Sequence, residues 1–235
     1  MLAHADALAG EVGTPAGAPA VPPTPAVGAQ PSSAPAAARP GPFAADLEKC
    51  YAIALATRRP SFARRAAAWI WHFEIPCTAV YRLGQWSFRL KARSGILAAP
   101  FLLAYFLCNF FVRLVRHVEI SHHAQIGAGF HLGHPSSIFI GPTRIGANCN
   151  VTHNVTIGVG LGGQRTGVPV IGNNVWIGPG ATLTGGIVIG DGATISAGSI
   201  VVRDVPSGAL VAGNPARVVN ASYDNRALLW PEAVS

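Results

Sequence analysis

Charge is what this sequence has least of. Only 11% of its 235 residues are Asp, Glu, Lys or Arg, while 50% are hydrophobic, a low charge content for a soluble protein. Cysteine is scarce too: Cys50, Cys77, Cys108 and Cys149 are scattered, with no CxxC pair and no metal-ligand spacing. That excludes a disulfide framework and fits free thiols in a reducing, cytoplasmic compartment. Residues 1–43 carry almost no charge and one aromatic, Phe43. An Ala/Pro/Gly tract of this kind cannot bury enough apolar area to offset its chain entropy, so disorder is expected there. The tract also lacks the basic start and continuous apolar core of a signal peptide. From residue 118 onward five basic residues face five acidic ones, which argues against a nucleic-acid groove in that part. The net charge of +7 belongs to residues 44–117, with eleven Lys or Arg against three acidic residues.

What is present is a period of six. Ile145, Val151 and Ile157 begin successive hexads, and Ile171, Ile177, Leu183, Ile189, Ile195 and Val201 continue in unbroken register. Such a period fits neither a helix nor a lone strand, and it predicts a mainly β fold, a β-helix with three short faces per coil. Ile171 should then stack on Ile189, Ile177 on Ile195 and Leu183 on Val201, each coil burying one aliphatic residue per face against its neighbours. Ile120, Ile126, Leu132 and Ile138 give the first coil and a half, with a one-residue slip before Ile145. The excess between Ile157 and Ile171 falls in 158–169, a glycine-rich loop expelled from the coil, as binding-face loops often are. The β-helix domain is thus 118–220. The tail 221–235, with Leu228, Leu229 and Trp230, is expected to cap the open coil end.

Residues 44–117 read as a small helical segment. Asp46–Thr57 suits a helix, and Ser61 can cap a second over Phe62–Phe73. Residues 78–93 place Val80, Leu83, Trp86 and Leu90 at helical spacing with a basic outer face. Ile96–Val112 is the most apolar run, broken by Pro100 and Asn109 and flanked by Lys91, Arg93, Arg113 and Arg116. Seventeen residues lies at the lower edge of a bilayer span, and basic residues at both ends give no topology bias. A transmembrane helix, contact of residues 78–116 with a membrane surface, and burial in a subdomain or trimer contact all stay open.

These features together resemble the hexapeptide-repeat acyltransferases, and residues 62–220 resemble the serine acetyltransferase branch. Glu119-Ile120-Ser121-His122, Gly133-His134-Pro135 and Ile140-Gly141-Pro142-Thr143 are similar to the family's Asp-Ile-His-Pro, Asp-His and Val-Gly-Glu-Thr. Asn154–Gly158 matches its Val-Thr-Leu-Gly-Gly, Val211–Val219 its Ala-Ala-Gly-Val-Pro-Ala-Arg-Ile-Val, and Tyr81–Trp86 the His-Arg-Leu-Ala-His-Trp of shorter members. The resemblance implies a left-handed β-helix, where the usual crossover rule alone would favour the right hand. It also implies a homotrimer and acetyl transfer from acetyl-CoA to a hydroxyl, the serine-activating step of cysteine biosynthesis.

Acyl transfer from a thioester needs a base for the acceptor hydroxyl and a donor for the tetrahedral oxyanion. By alignment the base is His134, and Glu119 stands where the family has the aspartate that orients it, one methylene longer. His131 lies three residues from His134 on an extended run and so faces the other side. His153 follows Val151 as His134 follows Leu132, and is expected one face over. Gly163, Gly178, Ala197, Gly213 and Pro215 are carried over as the groove for the pantetheine arm, with Arg217 for a phosphate. Two positions depart from the family: its serine-binding aspartate is Gly133 here, and its Asp-Arg-His-Pro loop reads Arg165-Thr166-Gly167-Val168-Pro169. Serine and a sugar or polysaccharide hydroxyl therefore both stay open as acceptors. A non-catalytic scaffold, or a carbonic-anhydrase-like metal protein using His122, His131 and His153, is the alternative class; no metal is expected.

Overall fold

Stacked isoleucines set the architecture. The computed structural model describes residues 41–57, 60–160 and 165–230. In it three parallel sheets wind around one apolar column. The first sheet holds β1 (Val118–Ile120), β4 (Ile138–Ile140), β7 (Thr156–Gly158), β10 (Thr182–Thr184) and β13 (Ile200–Val201). The second holds β2 (Gln125–Ile126), β5 (Arg144–Ile145), β8 (Val170–Ile171) and β11 (Val188–Ile189). The third holds β3 (His131–Gly133), β6 (Asn150–Thr152), β9 (Trp176–Ile177), β12 (Thr194–Ile195) and β14 (Leu210–Gly213), and closes with antiparallel β15 (Ala216–Asn220).

The expected stacks form: Ile171 on Ile189, Ile177 on Ile195, Leu183 on Val201. Every one of these side chains is buried. At one corner of successive coils Gly129, Asn148, Asn174, Gly192 and Gly208 all take positive φ, the conformation that Gly and Asn adopt most cheaply. The register break is not where the hexads alone put it. Ile140, rather than Ile138, aligns with both Ile120 and Ile157. The surplus residues therefore sit at the corner between β3 and β4, and the next corner is one residue short.

The helices are α1 (Pro42–Ala54), α2 (Phe62–Trp71), α3 (Glu74–Lys91) and α4 (Gly95–Arg116). Helix α1 begins two residues inside the expected tail, with Pro42 in its first turn, where a missing N–H costs nothing. The rest of that tail, residues 1–40, lies outside the described residues. Ser61 precedes α2 as expected, but its side chain makes no capping bond.

Helix α3 differs from its sequence reading, because its polar side is the buried one. The first coil has no coil below it, so its backbone groups need partners from elsewhere. Ala124 O accepts from Tyr81 Oη and Gln85 Nε2, both at 2.8 Å. Ile126 O and Gly127 O accept from Arg82 at 2.8 and 2.6 Å. Asp46 of α1 accepts from Phe130 N at 2.8 Å and pairs with Arg82 Nε at 2.7 Å. Arg82, expected on a basic outer face, is thus a buried cap residue. The apolar face of α3 carries α4 instead, with Trp86 set edge-on to Phe101 at 4.7 Å.

The tail also departs from expectation. Its described part, 221–230 with α5 (Arg226–Leu229), does not lie over the coil end, and 231–235 are outside the described residues. It runs back along the asparagine corner. Asn225 Nδ2 donates to Asn174 O, Gly192 O and Ala193 O. Further down, Asn150 Nδ2 donates to Leu228 O and Leu229 O, and the Trp230 ring lies 5.1 Å from Lys49 Nζ.

Candidate active site

The corner with surplus residues is the one that carries His134. Its φ is +51°, at the end of β3, and its side chain is exposed. Two interactions tie this corner to the end of α4: Arg116 Nε donates to Pro135 O at 3.0 Å, and Ser137 N donates to Arg116 O at 2.9 Å. Glu119 lies on β1 and its carboxylate pairs with Arg113 Nη2 at 2.9 Å, not with His134. The last turn of α4 therefore holds both candidate groups, one through Arg113 and the other through Arg116. In the sequence those arginines stand only as flanks of an apolar run.

The register places further residues on the same edge. Beyond the aligned Gly133–Thr152 pair the next residues are His134 and His153. Continuing up the sheet, the equivalent positions are Pro179, Ala197 and Gly213. His153 is therefore on the same face as His134, one coil on, which corrects the expectation of a different face. Its Nδ1 is shut from solvent and makes no hydrogen bond. Gly178 stands next to Pro179, so tightly that a Cβ would lie 2.7 Å from Ala197 N. Pro215 follows a cis Asn214–Pro215 peptide in the β14–β15 turn, and Arg217 is exposed, donating to Ala216 O. Of the residues expected along the groove, Ala197 and Gly213 thus share one edge with His134, Gly178 adjoins it, and Pro215 and Arg217 follow at its far end. Gly163 lies outside the described residues.

Histidines that could compete are dispersed. His131 is buried beneath α1, 6% exposed, with Cys50 Sγ 3.6 Å from its Nδ1. Burial, helped by the Lys49 and His134 charges, pushes its pKa down to about 3. His122 stacks on Phe88 at 4.0 Å and lines a cleft of about 650 Å³ with His123, Arg89 and Gln85, at a different corner from His134. Among the described residues no three His, Cys, Asp or Glu side chains converge to hold a metal. Gly133 leaves little room for the family's aspartate, since a Cβ there would lie 3.2 Å from Thr152 Cγ2. Past β7, the Arg165 guanidinium pairs with Asp204 at 2.9 Å and donates to Gly186 O.

A coil of three parallel sheets with hexad isoleucines inside defines a hexapeptide-repeat protein. Residues 169–203 match the family described as bacterial transferase hexapeptide (six repeats). Serine acetyltransferase of Synechococcus elongatus is 40% identical over 114 residues, 47% of this chain and 46% of that protein. The Escherichia coli serine acetyltransferase is 35% identical over 185 residues, 75% and 64% of the two chains. Soybean serine acetyltransferase complexed with serine superposes with a TM-score of 0.58 at 31% identity, covering 76% of this chain and 68% of that one. The chain belongs to the hexapeptide-repeat acyltransferases of the serine acetyltransferase type, and its coil is their left-handed β-helix. It spans about half the length of the Synechococcus relative.

Proposed function

We propose that this protein is an acetyl-CoA-dependent O-acetyltransferase that acetylates the hydroxyl of L-serine or a related small acceptor. It works as a homotrimer in the cytoplasm, with residues 78–116 toward a membrane surface. The observation that supports the chemistry is the single edge running from His134 to Gly213 across successive coils. Coil spacing of about 4.8 Å lets an extended arm meet a backbone edge at each step. An exposed base on an open corner also wants a second wall, which a neighbouring β-helix would supply.

In this reading His134 takes the proton of the acceptor hydroxyl as its oxygen attacks the thioester carbonyl. The tetrahedral intermediate collapses, the C–S bond breaks, and the imidazolium returns the proton to the leaving thiolate. Glu119 is the positioning carboxylate, held in the resting chain by Arg113. Gly178, Ala197, Gly213 and Pro215 flank the pantetheine arm, and Arg217 takes a phosphate. Gly133 and the 165–169 loop favour a second reading in which the acceptor hydroxyl belongs to a sugar.

Free-thiol release from acetyl-CoA, measured with L-serine and with a panel of sugars and nucleotide sugars, tests both. Release with serine is the expected result; release with a sugar alone moves the protein to polysaccharide modification, and silence throughout favours a scaffold. His134→Ala should lower the rate by about 10²–10⁴-fold with acetyl-CoA binding retained. Wild-type turnover in that variant would remove His134 from the mechanism.

A further inference from the structure

Helix α4 is 22 residues long and an 18-residue stretch of it has a mean hydropathy of 2.0, yet only 11% of that stretch is buried. Its protein-facing residues are Ala98, Leu102, Tyr105, Asn109, Val112 and Arg116. At 100° per residue these cover an arc of roughly 80°. Ile96, Leu103, Leu107, Phe110, Phe111 and Leu114 are each more than half exposed. With their neighbours they spread over roughly 220°. A single packed helix covers a stripe of about 100°, so one protein partner would leave much of this surface wet. The ends of the helix are basic: Arg89, Lys91 and Arg93 precede it and Arg113 lies in its last turn, all exposed.

We infer that α4 is an in-plane anchor that embeds in the surface of an anionic phospholipid bilayer. Breadth of the apolar arc fits acyl chains, and the basic ends fit acidic headgroups. The helix lies flat rather than spanning because both of its attachments are fixed to the β-helix. Its C-terminus enters β1 after one residue, His117 in the left-handed region. Along its length it packs on α3, which Tyr81, Arg82 and Gln85 bind to the first coil. Standing α4 upright would carry α3 and its arginines into hydrocarbon, where unpaired charge is costly. The anchor would hold the acyl-transfer edge at a membrane. It deepens the location proposed above and rests on none of the acyl-transfer chemistry.

The test is flotation of the full chain on sucrose with vesicles of three parts phosphatidylcholine to one part phosphatidylglycerol, at low salt. Wild type should rise with the vesicles. The variant L107E/F110E/L114E should rise at least ten-fold less while keeping its melting temperature, because all three side chains are exposed. A second variant, K91E/R93E, lies outside the helix and should lose several-fold. Wild type remaining at the bottom, or either variant floating like wild type, overturns the anchor. So does a wild type that stays down while L107E/F110E/L114E changes the particle mass in light scattering, since a second copy would then cover the face. Thiol release is not read, so failure of the enzymatic proposal and failure of the anchor remain distinct.

Discussion

His131 shows how one buried residue sets a pH limit for the fold. Its imidazole is neutral in the native state, with a pKa near 3, against an ordinary value near 6.5 once unfolded. Between those values the unfolded chain binds the extra proton, so stability falls as pH drops below about 6.5. The slope is about 1.4 kcal/mol per pH unit for one proton. Wild type should therefore melt progressively earlier from pH 6.5 to 4.5, and His131→Leu should flatten that dependence. Equal slopes in the two proteins, by calorimetry, would assign the acid limit elsewhere. Residue chemistry of this kind was only half legible beforehand. The residue type flagged His131, but its burial depends on α1 lying against the coil.

At the scale of elements, the helical segment acts as a plug for the open end of the β-helix. Backbone groups of a terminal coil are costly to leave without partners, and here Tyr81, Arg82, Gln85 and Asp46 supply them. Sequence periodicity found α3 but assigned its faces in reverse, because hydrophobicity alone does not register a demand for donors. Arg82→Met should be strongly destabilising. It strands the Asp46 carboxylate, 1% exposed, and removes donors from two carbonyls, a cost of about 3–5 kcal/mol. In a chain of this size that lowers the melting temperature on the order of 10 °C. Asp46→Asn in the same chain should restore part of it. A single variant as stable as wild type would mean that water replaces the plug.

Across the whole molecule, the C-terminal strap links late coils to early ones. Asn225 bonds three carbonyls from two coils, and Leu229, 2% exposed, anchors the turn beyond. Asn225→Ala should cost about 1–3 kcal/mol. It should also let limited proteolysis cut residues 221–230 before the coils, whereas simultaneous loss of both would show that the strap is integral to them.

The sequence by itself determined the coil. Six-residue spacing of aliphatic side chains leaves a three-faced solenoid as the way to bury them all, and the stacks of Ile171, Ile177 and Leu183 follow from counting. It also marked His134 through its neighbours. Only the tertiary structure decided where the surplus residues are expelled, because the aliphatic spacing alone allows more than one corner to take them. Placing the surplus at the His134 corner rather than before Ile145 puts Ile140, not Ile138, in line with Ile120 and Ile157. His153 lies one coil on from His134, on the same edge, through the Leu132–Val151 pair. Ala197 and Gly213 extend that edge through the sheet register. Only the packing of α3 against an unpaired coil end decided that Arg82 turns inward and that the apolar surface of α4 is left outside.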